Sequence, residues 1–233
     1  MAPDTITFDE EARAAGLLAA QNSALALFAE CERLIRPGVT ERALSREIHA
    51  LAAGMFGVKA HWHKRVVRAG ANTLMAYDKS PPDLTIQDDD ILFLDLGPVF
   101  AAWEADFGRT YVLGNDPAKL RLRDDLAVIF GEAKRHYEAH PDITGAELYD
   151  VACRLAEEAG WEFGGDIAGH LVGEFPHERM PDGKFRSHIR PENPERLNDP
   201  YASGQKRHWI LEIHLVDRTR RIGGFHEQLL TVG

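Results

Sequence analysis

The sequence predicts an α+β protein made of two related halves, and three observations carry that expectation. Apolar residues recur at steps of three and four over four separate stretches, the pattern of amphipathic helices. Each pair of such stretches is followed by β-prone apolar runs interrupted by single carboxylates. A pattern also repeats along the chain: Pro37, Thr40, Leu44, Leu51 and Ala52 each recur 104 positions later, as Pro141, Thr144, Leu148, Leu155 and Ala156. Two helices followed by strands, twice over, make a pseudo-twofold arrangement.

In the first half, Leu17, Ala20, Ala24, Phe28, Cys31 and Ile35 share one face of a helix over residues 9–35, which Pro37-Gly38 ends. Thr40 is the N-cap expected for a second helix to about residue 55, with Leu44, Ile48, Leu51 and Ala52 inward. His61-Trp62-His63 precede a short strand at Val66-Val67, and residues 72–87, broken by Pro81-Pro82, read as loop. Residues 91–114 read as two adjacent strands around a short polar turn. Asp116-Pro117 then opens a third helix through Leu126, Ile129, Phe130 and Ala133. Thr144 and Glu147 form a capping box for a fourth, ending near Gly160. Residues 179–208, rich in Pro, Arg, Asn and Asp, read as a long surface loop, a length uncommon without a function.

The strand-like runs carry the chemistry. Asp95 follows four apolar residues and Asp106 opens the next run, so each carboxylate is buried at a cost that something must offset. Two carboxylates on neighbouring strands repel unless they share a proton or a cation. Further donors stand downstream: His170 and His177 in Gly-His-x-x-Gly-x-x-x-His-Glu, Glu212 within Trp-Ile-Leu-Glu-Ile, and Glu227 near the end. Asp95, Asp106, His170, Glu212 and Glu227 are five oxygen and nitrogen donors without a thiolate, a set that suits a pair of divalent first-row ions better than a structural zinc. Separate salt bridges to Arg109 or Arg218 are the competing explanation.

Composition limits the rest. A hydrophobic content of 44% and a charged content of 27% are those of an ordinary globular protein, and the length suits one domain spanning residues 1–233. The net charge of −10 argues against a nucleic-acid partner. Residues 179–221 depart from it, with ten Lys or Arg against six Asp or Glu; Arg186 and Arg190 there suit a substrate-carboxylate clamp, a dimer surface or a solvated loop. Cys31 and Cys153 read as buried free thiols of a reducing compartment. With no leader pattern and no apolar stretch of spanning length, the expectation is a cytoplasmic protein without a membrane partner.

Asp-Leu-Gly at 95–97, Asp-Phe-Gly-Arg-Thr at 106–110, the histidine motif at 169–178, Glu212 and Glu227 together resemble the M24 metallopeptidases. This is the group of methionine aminopeptidases, Xaa-Pro peptidases and creatinase. The resemblance runs nearly the whole chain and implies the pita-bread fold, two pseudo-symmetric halves around a curved antiparallel sheet flanked by helices, here as a minimal catalytic domain. It further implies that Asp95 chelates one metal ion, that His170 and Glu212 bind a second, and that Asp106 and Glu227 bridge them. Manganese, cobalt, iron and zinc all suit these donors. Glu212 is implied as proton shuttle and His177 as the group that polarises the scissile carbonyl. The implied substrate is a small peptide cut at an amino-terminal or Xaa-Pro bond, with a non-peptide amide or C–N bond as the alternative; a binding protein without activity would not need all five donors. Family peptidases place a substrate-contacting histidine before the first Asp strand, where this chain has Ala76 or Tyr77. Tyr77, His63 and Trp103 are the expected lining of the substrate pocket, and the family implies a homodimer.

Overall fold

The computed structural model describes residues 9–75, 77–176 and 186–232. The first half opens with α1 (Glu10–Glu32), whose N-cap Asp9 accepts from the Ala12 amide, and α2 (Glu41–Phe56), capped by Thr40 and ended by Gly57 in the left-handed region. Then come β1 (Val66–Ala69), a single 3₁₀ turn (Gly70–Leu74), β2 (Ile91–Leu96), a small hairpin of β3 (Val99–Phe100) and β4 (Trp103–Glu104), and β5 (Phe107–Val112). The second half comprises α3 (Pro117–Ala139), α4 (Gly145–Glu158), β6 (Glu162–Phe163), β7 (Leu171–Val172), β8 (His208–Asp217) and β9 (Ile222–Leu229). The four expected helices form where their caps predict, and the Thr144–Glu147 capping box closes in both directions. The β3–β4 hairpin, β6 and β7 escaped the sequence reading, because two-residue strands carry no periodicity.

The strands form one antiparallel sheet in the order β1-β2-β5-β9-β8-β6, with β7 also paired to β8. Read outward from its centre, β5-β2-β1 on one side answers β9-β8-β6 on the other. The repeat extends to the loops. Glu41 N donates to Leu84 O and Ile86 N to Val39 O, while Gly145 N donates to Glu195 O and Leu197 N to Ile143 O. Thus the 104-residue offset reflects two copies of one packing unit: each capped helix start is tied to the strand segment that leads back into the sheet.

Alternation in the strands separates two faces. Leu92, Leu94 and Leu96 of β2 pack with Ala24, Phe28, Leu44 and Ile48 of α1 and α2, while Leu211, Ile213 and Leu215 of β8 pack with Leu126, Phe130 and Leu148 of α3 and α4. The helices therefore cover one face. Phe93, Phe225 and Val66 share the opposite face, and the carboxylates lie on that side.

One expectation needs correcting. The described part of the 179–208 segment is a surface loop without helix or strand up to β8, but it is not solvated throughout: Ile189, Asn193 and Leu197 are fully buried. Asn193 donates from Nδ2 to His188 O, its backbone carbonyl accepts from Ala146 N, and it lies against Gly145, where a Cβ would fall 2.5 Å from Nδ2. The Trp209 indole N–H donates to Leu197 O. The backbone carbonyls of Asn193 and Glu195 close the start of α4, which composition does not reveal.

Candidate metal centre

Register assembles the site. Across the sheet, Val66 of β1 stands opposite Asp95, Asp95 opposite Gly108, Gly108 opposite Glu227, and Glu227 opposite Glu212. Residues directly opposite on antiparallel strands place their side chains on one face. Asp95, Glu227 and Glu212 therefore form a single row interrupted only by a residue without a side chain. Asp106, two residues before Gly108, reaches the same face just before β5 begins.

Histidines enter from both sides of this row. His170 lies on the segment leading into β7; its carbonyl accepts from Ile210 N of β8, and its Nε2 stands 3.0 Å from Asp106 Oδ2 and 3.8 Å from Glu227 Oε1. Gly169 makes that approach possible: its φ is +140°, and a Cβ there would lie 2.0 Å from Ile210 O. From the other side, Trp62 N bonds Gly97 O, and His63 Nε2 lies 3.0 Å from Asp106 Oδ1 and 3.5 Å from Asp95 Oδ1. A Cβ on Gly97 would fall 2.2 Å from the His63 ring and 2.5 Å from Trp62 Nε1, so the glycine of Asp-Leu-Gly is space reserved for these two rings.

The electrostatics follow from crowding acids away from water. Burial, and then the neighbouring acids, push the Glu227 carboxyl well above the usual range; burial likewise raises Asp95 and Glu212. Burial acts in the same direction on Asp106, but the two imidazoles at its oxygens outweigh it and hold that carboxyl low. Burial opposes the charge on His63 and His170, yet Asp106, helped by Asp95 at His63, raises them to about 10 and about 9.

The donor set fits a multivalent cation. Glu212 Oε1 and Glu227 Oε2 are buried oxygens with no hydrogen-bond partner among the described residues, a costly state for carboxylates that no protein group relieves. Two groups, His63–Asp95–Asp106 and Asp106–His170–Glu227, each converge on one point and share Asp106. The salt-bridge alternative fails on geometry. Arg109 donates to the backbone carbonyl of Glu227 and to the Gln228 side chain, and Arg218 pairs with Glu162.

The remaining expected residues divide. Tyr77 stands beside the site, its ring 5.6 Å from that of His63 and half open to solvent. Trp103 instead packs on α1, where a Cβ on Gly16 would meet its indole at 2.3 Å. His61 turns to His49 of α2, with ring centroids 5.8 Å apart. Arg186 and Arg190 are paired with Glu195 and Glu192. His177 lies outside the described residues, as does Ala76. The sequence reading missed Trp62, whose indole centroid lies 4.6 Å from the His63 ring and 5.1 Å from the His170 ring. Its signal was the position between two histidines, which only the fold turns into a wedge.

An antiparallel sheet in two related halves, with acids and imidazoles gathered on its open face, defines an α+β protein with a candidate metal centre. Residues 15–199 match the model of metallopeptidase family M24, and the chain belongs to that family. Over 147 residues it is 30% identical to the Xaa-Pro dipeptidase of Lactobacillus helveticus, a match covering 62% of this chain and 39% of that relative. Its structure is similar to the X-Pro aminopeptidase of Thermotoga maritima, with a TM-score of 0.73 at 19% identity over 98% of this chain and 63% of that one. The prolidase of Pyrococcus horikoshii gives 0.70 at 20% identity, over 97% and 60%. The fold is therefore the pita-bread fold of these enzymes, while the chain spans well under two thirds of the length of the curated relatives it matches.

Proposed function

We propose that residues 1–233 form one catalytic domain of a dinuclear metal-dependent peptidase acting on small peptides at an amino-terminal or Xaa-Pro bond. The observation that carries the reading is the row of acids around Asp106, with two buried carboxylate oxygens that have no hydrogen-bond partner among the described residues. Asp95 would hold one ion and His170 and Glu212 the other, with Asp106 and Glu227 shared between them. When bound, such ions supply Lewis acidity, which lowers the pKa of water and polarises an amide carbonyl. Glu212, whose Oε1 is buried with no hydrogen-bond partner among the described residues, takes the proton of the attacking water and returns it to the leaving nitrogen, the role the family pattern implies for it. His170 and Asp106 orient the acids through the 3.0 Å contact between them. Tyr77 stands at the mouth of the site as a hydroxyl donor toward substrate, and His177 is assigned to the carbonyl oxygen by the family pattern. Free Cys31 and Cys153 support a reducing, cytoplasmic setting, and no helix among the described residues is long and apolar enough to cross a membrane.

The test is turnover of a panel of di- and tripeptides, Xaa-Pro and Met-Xaa members included, by manganese- or cobalt-loaded protein, with Asp106→Ala as control. Cleavage that needs both metal and Asp106 supports the peptidase. Tyr77 in place of the family's histidine favours a second reading, hydrolysis of a non-peptide amide or C–N bond. Metal binding without peptide cleavage across the panel would shift the assignment there.

A further inference from the structure

We propose that His63 is a sixth ligand of the metal centre, binding through Nε2 the ion held by Asp95 and Asp106, so that each ion carries one imidazole. The inference rests on the dinuclear reading above and assigns a residue outside the five-donor set.

Three independent features support it. The first is distance. Donors at about 2.0–2.2 Å from one ion lie about 3.0 Å apart at right angles and about 3.4 Å apart at tetrahedral angles. His63 Nε2 lies 3.0 Å from Asp106 Oδ1 and 3.5 Å from Asp95 Oδ1, and that trio converges on one point. A ring merely lining a substrate pocket would not need to sit between two carboxylates.

The second is tautomer. His63 Nδ1 donates to the carbonyl of Lys64 at 2.6 Å, just as His170 Nδ1 donates to the carbonyl of Leu171 at 2.8 Å. A backbone carbonyl can only accept, so both rings keep a proton on Nδ1, and Nε2, which faces the acids, is the nitrogen left for an ion to take in exchange for its proton. Ligating histidines are oriented in this way by the atoms behind them. The two histidines thus treat the two oxygens of Asp106 alike, at 3.0 Å each, from opposite sides of the row of acids.

The third is built space. Gly97 leaves room that the His63 ring fills, and Trp62 stands between the two imidazoles with its centroid 4.6 Å from one and 5.1 Å from the other. The Tyr77 ring closes the outer edge of His63. The imidazole is therefore fixed before any ion arrives, and its side chain is only 7% exposed.

The experiment uses cobalt(II) as probe on the intact chain. Proton NMR of the loaded wild type reads exchangeable, hyperfine-shifted imidazole N–H signals, one for each ligating histidine that keeps its Nδ1 proton. Two are expected, one lost in His63→Gln and the other in His170→Gln. Calorimetric titration should show two equivalents bound by the wild type, and one of the two weakened at least about tenfold in His63→Gln. Two equivalents bound with a single shifted signal, or a second signal that survives His63→Gln, would overturn the inference while leaving the dinuclear reading standing. Failure of the wild type to bind cobalt would overturn both. The wild-type spectrum decides the matter even if the variant does not fold.

Discussion

Asp106 is the residue on which the centre turns, because both imidazoles and the second-half acid Glu227 meet at its two oxygens. Replacing it with Asn keeps the shape but removes the charge shared by both ions. We expect Asp106→Asn to lose metal at both positions, by about 100-fold or more in affinity, as judged by metal content after dialysis against a weak chelator. Glu212→Gln should behave differently. Its buried oxygen serves proton transfer, so turnover is expected to fall by about 10²–10⁴ under saturating metal, with the fold intact. Equal loss of turnover and of bound metal would restrict Glu212 to ligation. At this scale much was legible: each of the five donors interrupts or borders an apolar run, where a charge stands out. Gly97 and Gly169 were not, since what they make room for comes from remote stretches of chain.

Among the elements, α4 carries the most explicit local code. Thr144 caps it, Glu147 returns the bond, and Leu148 is wholly buried in the second-half core. Thr144→Ala should cost about 1 kcal/mol and Leu148→Ala about 2–5 kcal/mol, measured by urea unfolding. A Leu148→Ala loss below about 1 kcal/mol would contradict the packing described. Gly169→Ala tests a different element contact, because its Cβ would press on a backbone carbonyl that cannot swing aside. A loss of about 1–3 kcal/mol is expected, together with weaker metal binding, as His170 is drawn away from Asp106. Helix starts were readable because caps act over three residues. The buried segment around Asn193 was not, because its backbone carbonyls answer α4 and β8, partners that only the fold brings to it.

For the whole molecule, the open face gathers like charges that folding alone does not neutralise, so stability of the metal-free protein should depend on pH. Burial raises Asp95 and Glu212 above their unfolded values near pH 4, so the folded chain binds more protons and stability falls as pH rises from there to the raised values. The histidines act with the same sign. Raised to about 10 and about 9, they stabilise fully below about pH 6.5, and the contribution is lost as pH rises through the folded values. Asp106, held low, acts oppositely but only in acid. The melting temperature of metal-free protein should therefore drop between pH 6 and pH 9, and calorimetry showing a rise would refute the charge arrangement. Saturating manganese should remove the drop and add about 2.7 kcal/mol for each site filled at 100 times its dissociation constant.

Local interactions are written in the chain itself: four capped helices and acids set into apolar strands follow from neighbours a few residues apart, and with the 104-residue repeat they were enough to expect an α+β protein with a divalent-metal site. Tertiary structure decided which acids stand in one row, since the β2–β5 and β8–β9 pairs are brought into register with each other only by the β5–β9 pairing, across more than a hundred residues of chain. It also decided that His63 joins the acids while His61 and Trp103 do not. His63 and Trp103 were sorted by where Gly97 and Gly16 left room, and that space exists only once distant stretches of chain have closed on one another.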